Sequence, residues 1–158
     1  MSPELPEIYK NRTRVRACGL CWQDGKLLMV NHRGLNSGNF WAPPGGGIEF
    51  GEAAADTLMR EFLEETNLPV SAGALRFVCE YIQPPLHAIE LFFEVVNLGG
   101  DLRTGYDPES SSGNQLITDV RFMGIEEILA LPEHERHGIF RKVQTEADLK
   151  SLAGFHRI

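Results

Sequence analysis

Apolar residues fall along this chain in short runs cut by polar turns, with one stretch in which they recur at helical spacing. Arg14 to Trp22 reads as a strand and Leu27 to Asn31 as its return, because Gln23-Asp24-Gly25-Lys26 is a strong hairpin turn. His32 to Asn39 is a polar loop with two glycines, and Phe40-Trp41-Ala42 follows it. From about Glu52 to Thr66, Leu58, Met59 and Phe62 form the apolar arc of an amphipathic helix. Ala74 to Ile82 and Ile89 to Val96 read as two strands joined by Gln83-Pro84-Pro85-Leu86-His87, close enough in sequence to pair antiparallel. Gly99 to Asn114 is rich in Gly, Ser and Asp and offers nothing to a core; a loop of that length is more often functional than idle. Leu116 to Met123 makes another strand and Ile125 to Leu131 a short helix. From about Glu133 to Ala153 the pattern predicts a C-terminal helix, broken or kinked near Gly138. This order predicts an α/β fold with a mixed β-sheet between helices.

The chain of 158 residues fits one domain over 1–158, with 1–12 as a loosely held lead-in and no repeats or internal linker. A net charge of −7 without a basic stripe argues against a nucleic-acid partner. No run is apolar enough to span a bilayer and no signal segment is visible, so the expected setting is the cytoplasm, with no membrane partner. A homodimer is left open as its assembly. Three cysteines argue against a disulfide framework. Cys18 and Cys21 form a C-x-x-C, but they lie in a strand, where a spacing of three points them to opposite faces. No second pair completes a zinc site, so buried structural cysteines are expected.

The charge changes the picture most in the helix. Glu61, Glu64 and Glu65 fall within an arc of roughly 100° at helical pitch. Crowded carboxylates repel, and like charges at this spacing weaken a helix unless something positive sits among them. Carboxylates without thiolates or histidines in the run suit a hard, oxygen-loving cation, Mg²⁺ or Mn²⁺. A divalent cation would also reconcile an acidic protein with a phosphorylated substrate. The glycine-rich turn Pro43-Pro44-Gly45-Gly46-Gly47 leads into this helix.

These residues resemble the signature of the Nudix hydrolases, G-x5-E-x7-R-E-U-x-E-E-x-G-U, with U a bulky aliphatic. The positions read Gly46, Glu52, Arg60, Glu61, Phe62, Glu64, Glu65, Asn67 and Leu68. Phe62 is aromatic where an aliphatic is usual. Asn67 replaces the glycine that ends the helix in a left-handed conformation, and asparagine is the next most tolerant residue there. The resemblance implies a Nudix-type α/β/α sandwich and a divalent-metal-dependent pyrophosphohydrolase acting on a small nucleotide. It implies Glu61, Glu64 and Glu65 as metal ligands and catalytic residues, joined by the backbone carbonyl of Gly45. Glu52 and Arg60 are expected to brace the site.

For the general base, the resemblance implies a signature glutamate or an acid on a later loop. Glu109, in the long loop, is the first candidate; Asp107, Glu80 and Glu94 are alternatives, and Glu61 is a further one. Gln115 stands where relatives often place a glutamate and cannot take up a proton. His32, Arg33 and Gly46 are candidates for binding substrate, and Phe40, Trp41 and Tyr81 for stacking on a base. Pro84 falls sixteen residues after Leu68, a spacing that resembles the ADP-ribose pyrophosphatases of the family. It favours ADP-ribose or a nucleotide sugar over a (d)NTP as substrate. A non-catalytic nucleotide-binding module is the third reading, and the three intact glutamates argue against it.

Overall fold

The protein is described by a computed structural model covering residues 7–33, 38–105 and 117–158. The first hairpin forms where the turn chemistry places it. β1 (Arg12–Gln23) and β2 (Lys26–Arg33) meet at Trp22 opposite Leu27, with Asp24 and Gly25 at φ 51° and 74° as the two left-handed residues of the turn. β2 runs two residues past the expected end and pairs with β3 (Asn39–Ala42). The triglycine strand β4 (Gly45–Gly47) folds back onto β1. After α1 (Ala54–Thr66), β5 (Val70–Gln83) and β6 (Leu86–Asn97) form the expected antiparallel pair, and β6 lies parallel to β1. β7 (Ile117–Met123) pairs with β2. Among the described residues eight strands, β8 (Gly154–Arg157) included, make one mixed sheet in the order β3-β2-β1-β6-β5-β8, with β4 added to β1 and β7 to β2.

Alternation along β1 divides the core between two faces. Ala17 and Cys21 pack with Leu28 and Val95 beneath Leu58 and Phe62 of α1. Cys18 and Leu20 pack on the other face with Phe77 and Phe92, beneath a C-terminal layer that supplies Ile125, Ile128, Ile139 and Phe140. Helices therefore cover both faces, which is the expected sandwich. The two cysteines are buried, in no disulfide and on opposite faces, as a spacing of three requires. Among the described residues no helix is long and apolar enough to cross a membrane.

The C-terminal region corrects the expected single helix. α2 (Ile125–Leu129) is followed by 3-10 turns at Glu133–Glu135 and Gly138–Lys142, then α3 (Glu146–Ser151) and β8. Val143 is extended, and Thr145 with Asp148 forms a capping box that starts a new helix. Gly154 at φ 83° then redirects the chain into β8, which pairs parallel to β5. Within the expected lead-in, Asn11 donates its N–H to the Pro85 carbonyl, and Arg12 already belongs to β1.

Candidate active site

Two sequence choices fix where α1 lies. Phe62 is fully buried, and its ring occupies the space where a side chain on Gly19 would stand; a β-carbon there would come within 2.5–2.7 Å of the ring. The aromatic departure from the signature is thus matched by a glycine on β1. At the other end, Asn67 adopts φ 64° and ψ 12°, and its N–H reaches the Leu63 carbonyl at 3.1 Å. Its side-chain amide also donates to the Asp101 carbonyl at 2.9 Å. Arg103 and Gly105 donate backbone N–H bonds to the carbonyls of Thr66 and Glu65, so residues 101–105 close the open end of the helix.

The acidic face of α1 meets the glycine strand. Glu61 and Glu65 are 8% and 3% exposed, and Glu64 is half-buried. Glu65 accepts the Gly45 N–H at 2.8 Å. Gly46 lies against the Glu61 carboxylate so tightly that any β-carbon would collide with it. Register explains why Gly45 is available: Gly19 donates to Pro44, and Ile48 donates to Val15, which leaves Gly45 at a pair whose polar groups face away from β1.

Arg60 supplies the positive charge among the acids. Its Nε and Nη2 donate to Glu52 at 2.9 Å each, while Nη1 donates to Glu61 at 3.0 Å and to Glu64 at 3.3 Å. Glu52 lies just before the helix rather than in its first turn, since α1 begins at Ala54. From there it forks onto Arg60 and also takes the Thr57 hydroxyl. The hydrogen bonds from Arg60, then that from Thr57, hold the Glu52 carboxyl down to about 2.

His32 stands beside the site, with Nε2 3.7 Å from Glu65 Oε2; burial first, then the Arg16 charge, lowers its pKa to about 4. The imidazole is therefore neutral near pH 7. Arg33 is exposed at the end of β2. Trp41 is buried in the core and Arg121 stacks over it at 4.9 Å. Glu80 engages His87 and Glu94 engages Arg76, both within the β5–β6 pair. Glu109, Asp107 and Gln115 lie outside the described residues.

A buried polar cluster that sequence reading missed lies on the opposite face. Glu90 of β6 takes Arg16 of β1 on one oxygen and His137 Nε2 on the other, the latter at 2.7 Å. Burial would raise the Glu90 carboxyl, but His137 and the Arg16 charge outweigh it and hold it below its ordinary value. The available signal was a charge inside each of two apolar runs, Arg16 in RVRACGL and Glu90 in AIELFF.

Glu61, Glu64, Glu65 and the Gly45 carbonyl offer oxygen donors alone, which fits a hard divalent cation. Among the described residues no three acidic, histidine or cysteine side chains already form a metal cluster, and Arg60 engages an oxygen of Glu61 and one of Glu64.

The NUDIX domain model matches residues 10–143, and the chain belongs to that family. It is 30% identical over 97 residues to an ADP-ribose pyrophosphatase of Methanocaldococcus jannaschii, covering 59% of this chain and 56% of that protein. The chain thus spans little more than half the length of that curated relative. Among solved structures, a NUDIX hydrolase from Nitrosomonas europaea superposes with a TM-score of 0.67 at 19% identity, over 90% of this chain and 93% of that one. A MutT protein from Methanosarcina mazei Go1 gives 0.66 at 17% identity, over 82% and 88%. At these identities the solved structures speak for the fold.

Proposed function

We propose that this chain is a divalent-metal-dependent hydrolase that cleaves the pyrophosphate linkage of a nucleoside diphosphate joined to another group. The observation that carries the reading is the contact of Glu61 and Glu65 with a bare glycine strand, which sets carboxylates beside backbone that bears no side chains. Glu61, Glu64, Glu65 and Gly45 would hold Mg²⁺ or Mn²⁺. Such an ion neutralises phosphate charge and lowers the pKa of an attacking water. Arg60 keeps the carboxylates from repelling one another, and Glu52 fixes Arg60. Gly46 leaves room for Glu61 and brings backbone within reach of phosphate. His32 and Arg33, at the end of β2, are assigned to the substrate side. Glu109 is assigned as proton acceptor: a pH–rate profile should lose its acid limb in Glu109→Gln, with kcat falling far more than KM rises.

ADP-ribose or a nucleotide sugar is the favoured substrate class. The curated relative supports it, as does Pro84, which stands in the β5–β6 turn. A soluble substrate of this kind fits a cytoplasmic setting. The test is a product assay with Mg²⁺ and with Mn²⁺ over ADP-ribose, nucleotide sugars and (d)NTPs. Nucleoside monophosphate plus sugar phosphate supports the reading. Nucleoside monophosphate plus pyrophosphate from a (d)NTP replaces it, and no turnover of any substrate leaves a binding module.

A further inference from the structure

The Arg16–Glu90–His137 cluster is more than a buried ion pair, because its outer end touches the glycine strand. His137 Nδ1 accepts the Ile139 N–H at 3.2 Å, so the ring carries its proton on Nε2 and donates it to Glu90. The His137 backbone N–H donates to the Trp41 carbonyl at 2.9 Å, which ties the C-terminal layer to β3. The other Glu90 oxygen receives Arg16, and the Cys18 thiol donates to it at 3.7 Å. Arg16 then extends Nη2 to the Gly45 carbonyl at 3.4 Å. The Gly45 residue is gripped at both of its polar groups, its N–H by Glu65 and its carbonyl oxygen by Arg16.

Gly45 is held to glycine because a side chain would strike the Ala17 carbonyl and Cys18. That residue type has the least intrinsic preference for one backbone orientation, so an outside brace has most to add here. A carbonyl oxygen has two lone pairs, and one accepted hydrogen bond leaves the other for a cation. A guanidinium so placed would repel that cation were its charge not balanced by Glu90.

We infer that Arg16, held by Glu90 and His137, is a positioning device that orients the Gly45 carbonyl for the metal ion. The inference rests on the metal-dependent reading above. Outer partners of metal ligands typically change metal affinity about 10–100-fold when altered. Glu90→Gln loses the charge balance and one of the two acceptor oxygens, since its amide NH₂ cannot accept from Arg16 or His137, and Arg16→Lys keeps the charge but loses the forked reach.

The test is Mn²⁺ binding to the metal-free protein, read by the electron paramagnetic resonance of free Mn²⁺. Glu90→Gln should weaken binding by about tenfold or more and Arg16→Lys by several-fold, with kcat falling more than KM rises. Folding is checked by near-ultraviolet circular dichroism. If both variants are folded and bind Mn²⁺ within about twofold of the parent, the inference is overturned. Glu65→Gln separates the two levels. Loss of Mn²⁺ in Glu65→Gln alone rejects only the brace; unchanged binding in Glu65→Gln rejects the metal reading itself. Should Glu90→Gln and Arg16→Lys fail to fold, the parent protein with ¹³C-carbonyl glycine and ¹⁵N-arginine still decides. Mg²⁺ should shift the Gly45 carbonyl and Arg16 Nη signals together, and an unmoved Arg16 overturns the inference.

Discussion

Gly46 and Glu61 share one space: the carboxylate sits where any side chain on Gly46 would be. The first glycine of the signature is therefore demanded by a carboxylate fifteen residues later in the chain, beyond any demand of the turn itself. Gly46→Ala should push Glu61 aside or part β4 from α1. A displacement near 1 Å at a positioned group typically costs about 10²-fold in rate. We expect kcat/KM to fall by that order, with most of the fold retained. Activity within a fewfold of the parent would show that Glu61 does not need this position.

Glu64→Gln and Glu65→Gln should each lower turnover by several orders of magnitude while the melting temperature stays near the parent's. On the proposed metal-dependent reading, removing a charged ligand takes away several kcal/mol of transition-state stabilisation. In Glu65→Gln the amide oxygen of the new side chain still accepts the Gly45 N–H, which is why the fold should survive. Near-normal turnover in both variants would remove the acidic face of α1 from the chemistry.

The Glu52–Arg60 fork gives a pH dependence with a defined sign. The folded-state carboxyl lies near 2, below its ordinary value of 4.5. A depressed carboxyl adds stability above the unfolded value and loses it as pH falls through the folded one. Glu52→Gln should therefore destabilise near pH 7 by roughly 1–2 kcal/mol, allowing for solvent screening of a partly exposed pair. The difference from the parent should shrink steadily as pH falls from about 5 towards 2. Chemical denaturation at several pH values checks this, and a difference that does not change with pH would break the assignment.

Much of this architecture was legible because local chemistry and tertiary packing agree. Asp24-Gly25 supplies a left-handed turn, Phe62 and Leu58 supply the inward arc of α1, and Glu61, Glu64 and Glu65 supply its acidic face. Where sequence and structure part, the deciding partner is distant in sequence. β8 is four residues with no alternation of its own, and it is a strand because β5 offers an edge at Phe77–Glu80. Glu90 reads as one polar position in an apolar strand; only the fold brings Arg16 and His137 to it from opposite ends of the chain. Gly19 looks like a gap in β1 and is the seat of the Phe62 ring.

Asn67 shows both kinds of information in one residue. Its left-handed conformation follows from its place at the helix end. Its side-chain bond to the Asp101 carbonyl does not, because that partner lies 34 residues away. The two effects oppose one another in Asn67→Gly, which relieves the backbone but gives up an exposed hydrogen bond. We expect a net change within about 0.5 kcal/mol of zero. Asn67→Val loses on both counts, since a left-handed conformation alone costs a side-chain-bearing residue about 1–2 kcal/mol and β-branching adds to it. For a chain of this size that corresponds to a fall in Tm of roughly 2–8 °C. Because residues 101–105 also close the carbonyls of Glu65 and Thr66, the valine variant should speed amide exchange at Arg103 and Gly105 beyond the change set by global stability. Thermal melts and hydrogen exchange read the two effects separately. A valine variant that melts with the parent would mean that α1 does not end in the left-handed conformation at this residue.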